Sequence, residues 1–150
     1  MHEFEIWEDA ILAALETLKD SGLITLEPYA DQFNVQVIEE LTVRFPAIYV
    51  AVGSLKIKER NRYDDKRIAV TLIVGDRNVR GSRAATRGDA SSPGVFNLLA
   101  LSREKLHRHK LVADWPYLTC TAEDPLIFQP SSGLCIYGAT YETKSIDKNN

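Results

Sequence analysis

Ile68-Ala69-Val70-Thr71-Leu72-Ile73-Val74, running out into Gly75-Asp76-Arg77-Asn78, is the stretch on which the fold turns. Seven residues rich in Val and Ile, polar only at Thr71, read as a strand covered on most of both faces and therefore central in its sheet. Upstream, Ala47–Val52 is a second core strand, with Gly53-Ser54 opening its far end. Leu55 and Ile57 then alternate with Lys56 and Lys58 before polarity takes over, which places an exposed hairpin turn around Tyr63-Asp64-Asp65. The linking residues are mostly polar and hold no amphipathic crossover helix, so the two strands are expected to pair antiparallel.

Outward from this pair, Phe4, Trp7, Ile11, Leu15 and Leu18 recur at helical spacing, with Glu5, Glu8, Asp9 and Glu16 facing away. They predict an amphipathic helix over residues 4–20, closed by Ser21-Gly22. Leu23–Pro28 is a short strand that Pro28 ends or keeps at an edge. A second helix is expected from Asn34 to Arg44, stopped by Phe45-Pro46. Residues 78–94, rich in Gly and Ser, read as a long loop; Arg77, Arg80, Arg83 and Arg87, spaced by three and four, could be aligned by a short helical turn, although the glycines oppose a stable helix in isolation. Ser92-Pro93 opens another helix with a buried stripe of Val95, Leu98, Leu99, Ser102 and Leu106, its cations gathered on the outer side and at the C-terminal end. Leu118–Cys120, Pro125–Phe128 and Leu134–Thr143 are strands, and Pro130-Ser-Ser-Gly133 joins the last two as a hairpin. The class is α+β: one domain over residues 1–150, with a mixed, largely antiparallel sheet of four to five strands and two or three helices packed on it.

A chain of 150 residues is long enough to bury a core without metal or disulfide staples. Its acidic opening is unlike a signal peptide, and no apolar run approaches the roughly 20 residues of a membrane span. Cys120 and Cys135 form no CxxC pair, and two reduced thiols are the expectation; a disulfide would need them to be cross-strand neighbours. His2, His107 and His109 do not make a metal site, and the HExxH, GxxxxGK[ST] and GxSxG patterns are absent. Residues 81–88 lack the glycine spacing of a dinucleotide fingerprint. No cofactor is implied. Two candidates for enzyme chemistry stand out, Asp76 at the exit of the central strand and Cys120, although a turn amide or arginine partner is the plainer role for Asp76.

Charge is segregated. Residues 1–44 hold ten acidic and two basic side chains, and residues 77–110 hold eight basic and two acidic, within a formal net charge of −3. The basic region, which includes Arg77, Arg80, Arg83, Arg87, Arg103 and Arg108, reads three ways: a solvated face, a sequence-independent nucleic-acid contact, or one half of a contact between unlike patches of two copies. Only Phe96 supplies an aromatic ring there, which gives little platform for base stacking.

The run Val70–Asp89, followed at once by Gly94-Val-Phe-Asn-Leu-Leu99, resembles a family of small structural proteins of Mu-like bacteriophages and prophages. Phe45-Pro-Ala-Ile-Tyr-Val50 and Tyr141-Glu-Thr143 extend the resemblance, which spans about residues 4–143. Asp76, Arg77, Asn78, Arg80, Gly81, Arg83, Ala84, Ala85, Arg87 and Gly88 match the family block. The hairpin Lys58–Asp65 is longer than in the family, and a glycine-rich segment after Ala47–Gly53 is missing. The resemblance implies a protein similar to tail terminators, which cap the tail tube as a ring, commonly a hexamer, and meet the head connector. It implies no enzyme activity, a place in the host cytoplasm during assembly and then in the virion tail or neck, and an interface formed by Asp76, Arg77, Asn78, Arg80, Arg83 and Arg87, to which the basic region adds Arg103 and Arg108.

Overall fold

The computed structural model describes residues 1–30, 43–78, 81–90, 92–129 and 132–143. Among them the chain forms α1 (Glu3–Leu15), a 3-10 segment (Glu16–Ser21), β1 (Thr25–Pro28), β2 (Ala47–Glu59), β3 (Asp64–Arg77), α2 (Ser82–Arg87), α3 (Val95–Leu106), β4 (Leu118–Gln129) and β5 (Leu134–Thr143). The strands order β1-β2-β3-β5-β4. β1 runs parallel to β2, and every other pair is antiparallel. This is the α+β architecture expected from the sequence, with the apolar stretch at its centre. The expected helix from Asn34 to Arg44 lies outside the described residues except for Val43 and Arg44, which are not helical.

The main core lies between sheet and helices, and Tyr49, Leu134 and Ile136 are buried on the sheet's other face. Trp7, Ile11, Leu15 and Leu18 from the N-terminal helical segment, and Val95, Leu98, Leu99 and Leu106 from α3, pack on Ile48, Val50, Ile68, Val70, Leu72, Val74 and Tyr141. Trp7 also meets Trp115 edge to face, with ring centroids 5.5 Å apart. Each such side chain contributes roughly 1.5–3 kcal/mol by leaving water, which is why periodicity located both helices. Gly22 ends the N-terminal segment as its C-cap.

Three expectations need correction. Along β3, Ile68, Val70, Leu72 and Val74 are buried while Ala69, Thr71 and Ile73 are only half-buried, so the helices seal one face and leave the other partly open. Gly53 does not open the end of a strand: β2 continues through it to Glu59 with a register shift between Val52 and Ser54. The hairpin turn falls at Arg60–Tyr63, closed by the Arg60 amide donating to the Tyr63 carbonyl (2.9 Å), and Asp64 and Asp65 belong to β3. Because β5 pairs with β3 only from Ala69 onward, residues 55–59 and 64–68 form a two-stranded ribbon that extends past β5. Lys66 on this ribbon donates to Glu3 of α1 (3.0 Å).

Candidate interaction site

At its C-terminal end β3 delivers Asp76, Arg77 and Asn78 into a clasp that holds the arginine segment. Asp76 is buried. Its Oδ1 accepts from the Arg77 amide (2.8 Å), and its Oδ2 accepts from the Ser92 hydroxyl. Burial pushes the Asp76 carboxyl above the ordinary carboxylate range; the Ser92 hydroxyl and the Arg77 and Gly94 amides pull the other way, and the Asp89 charge adds to the rise. Asp89 in turn accepts from the Asn78 side-chain amide (3.0 Å) and from the Ser92 backbone amide (3.1 Å). The Asn78 backbone amide donates to the Gly133 carbonyl (3.1 Å), tying the clasp to the β4–β5 turn.

Gly88 and Gly94 close the clasp. Both have positive φ, +83° and +80°, and a Cβ on Gly88 would run into the Pro93 carbonyl oxygen while one on Gly94 would run into the Gly88 nitrogen. A side chain at either position forces two backbone segments apart.

Just before Gly88 stands α2, a short helical turn where the glycines argued against a stable helix. Ala85 and Thr86 are buried, and Arg83 and Arg87, four residues apart on one helical face, are exposed. Arg77 is also exposed, with its Nε donating to the Ser132 carbonyl (3.3 Å). Arg77, Arg83 and Arg87 are thus exposed on the two segments, the end of β3 and α2, that the clasp holds together. Arg80 lies outside the described residues. Arg103 sits on α3 and forms an ion pair with Glu123 (2.9 Å). Arg108 is remote from the clasp, beyond α3, where its amide donates to the Leu118 carbonyl (2.7 Å).

Asp76 and Cys120 do not form a catalytic pair. In the sheet Asp76 stands opposite Cys135 and Cys120 opposite Tyr141, six residues apart along β5 or about 20 Å at strand rise. Burial, with the Glu123 charge, pushes the Cys120 thiol up, the reverse of what a nucleophilic thiolate needs. His107 does approach Cys120, but its Nδ1 accepts from the Cys120 backbone amide (2.9 Å) and not from the thiol. Cys120 and Cys135 are both free thiols. Among the described residues no group of His, Cys, Asp and Glu could hold a metal ion, and no helix is long and apolar enough to cross a membrane.

Sequence reading missed Ser92, Asp89 and Gly133 as partners of the arginine block. The one local signal was Asp89 three residues before Ser92, a spacing that suits an Asp side chain folding back on the backbone of its own turn.

Residues 5–125 match the family model described as Bacteriophage Mu, Gp37. A chain from a solved structure of the virion of a native gene transfer agent particle shares the fold, with a TM-score of 0.56 and 10% identity over 92% of each chain. No curated protein matches the sequence.

Proposed function

The chain belongs to the Bacteriophage Mu Gp37 family, and from that membership we propose a structural, non-enzymatic role: a subunit that caps the tail tube as a ring, in the manner of tail terminators, and takes part in tail termination or head–tail joining. The family match carries this reading, and the fold shared with a chain of a gene transfer agent virion supports it. Capping asks for one surface that docks on a tube end and another that refuses the next tube subunit, a difference in interface chemistry that needs no reacting group. The rim of Arg77, Arg83 and Arg87 suits the first task. Guanidinium groups pair bidentately with carboxylates, and an anchored helix presents them with little ordering cost. Tube and connector proteins are the partners in this reading, with assembly in the host cytoplasm and a final place in the tail or neck.

Nucleic-acid binding by residues 77–110 has less in its favour. Arg103 is paired within the chain, and Arg108 lies at the other end of β3 from Arg77, so the basic region is not one surface. Deleting the gene from an inducible prophage tests the proposal. Overlong tails without attached heads are expected in electron micrographs, and tails of normal length joined to heads would overturn it.

A further inference from the structure

The ribbon and the open face of the sheet bring together a second cationic surface from residues scattered in sequence. Lys56 and Arg67 are cross-strand partners, and Ala69, Glu142 and Thr119 make the adjoining row across β3, β5 and β4. Three adjoining shallow concavities of about 280, 260 and 390 Å³ run across this region, and Arg67 lines all three. Lys56 and Lys58 line the ribbon end of this trough, and Arg108 with Thr119 and Thr121 lines the far end. Lys56, Lys58, Arg67 and Arg108 are all exposed. Among the described residues none of the four has a carboxylate within ion-pair distance.

The same chain carries the complementary surface. Glu5 and Asp9, four residues apart on α1, are exposed on one helical face, and Glu16 and Asp20 are exposed on the 3-10 segment that follows. The N-terminal helical segment packs on the face of the sheet that carries Ile68 and Val70, whereas Lys56 and Arg67 alternate onto the opposite face. We infer that the trough of Lys56, Lys58, Arg67 and Arg108 receives the acidic face of α1 from a second copy of this chain. The contact joins unlike patches, so it is head to tail and able to propagate into a ring. It rests on the self-assembly reading above.

Sedimentation velocity of the full chain at 50 mM and 500 mM salt tests this contact. Wild type is expected to associate at low salt and to weaken at high salt. Lys56→Glu with Arg67→Glu, or Glu5→Lys with Asp9→Lys, should each weaken association about tenfold or more, and all four changes together should restore it. Thermal melts of each variant by circular dichroism should match wild type, since every side chain changed is exposed. A wild-type chain that stays monomeric at low salt overturns this contact, while the ring reading, in which a tube end can template the ring, stands or falls by the tail phenotype. Association that ignores the reversals, or that the fourfold variant fails to regain, overturns this contact alone. So does loss of binding to a 20-base-pair duplex in the trough variant with self-association unchanged, an outcome that would assign the trough to nucleic acid.

Discussion

Asp76 is where the fold places a carboxylate against its own preference for water. Its folded-state pKa is raised, chiefly by burial, so as pH climbs the unfolded chain gives up this proton first. The contribution of the group to stability is thus greatest below the ordinary carboxylate range and is lost as pH rises through the raised folded value. Asp76→Asn keeps an acceptor for the Arg77 amide and a partner for the Ser92 hydroxyl while removing the titration. Urea unfolding from about pH 4 to pH 8 should show a flatter profile for this variant. Asp76→Ala strands those donors and should cost about 1–3 kcal/mol. The thiols make a second residue-scale case. Burial raises both thiols, so buried Cys135 should not react with Ellman's reagent at neutral pH until the chain unfolds, and half-buried Cys120 should react more slowly than a free thiol. Rapid labelling of Cys120 in the folded protein would revive a nucleophilic role.

Among the elements, those that obey one periodicity were legible in the sequence. The stripe from Trp7 to Leu18 and the stripe from Val95 to Leu106 each repeat at helical spacing because one face meets the sheet, and the structure buries those residues. Ile11→Ala should therefore cost about 2–5 kcal/mol, whereas Ile57→Ala on the ribbon, where the side chain is 58% exposed, should stay within about 0.5 kcal/mol, as read by denaturant midpoints. What escaped the sequence was whatever depends on distant partners. α2 is short and glycine-flanked, so local propensity argued against it, yet buried Ala85 and the Asn78–Asp89 bond hold it in place. The continuation of β2 past Gly53 was hidden because a bulge and a strand end look alike in sequence. The interaction residues divided the same way. Arg77, Arg83 and Arg87 lie close in the chain and were readable as a group, while Lys56, Arg67 and Arg108 meet only through strand pairing.

Across the whole molecule, two cationic surfaces lie at opposite ends of the central strand. Arg67 and Arg77 are ten residues apart on β3, about 33 Å at strand rise, beyond three Debye lengths at physiological salt. Surfaces so far apart with no shared partner should act independently. One consequence is separable function: if the trough joins copies and the rim meets the tube, changes at one should leave the other intact. Arg83→Ala with Arg87→Ala should leave melting within about 0.5 kcal/mol of wild type, since exposed charges contribute little, and should leave self-association unchanged, while capping of tube polymerised in vitro falls. Lys56→Glu with Arg67→Glu should do the reverse in solution, weakening self-association while a single subunit still binds a tube end. Tube lengths by electron microscopy, set beside sedimentation of the same variants, give the comparison. Equal loss of both activities in both variants would mean that the two ends of β3 serve one continuous interface, a result that a 33 Å separation within one subunit allows only if neighbouring copies bring the ends together.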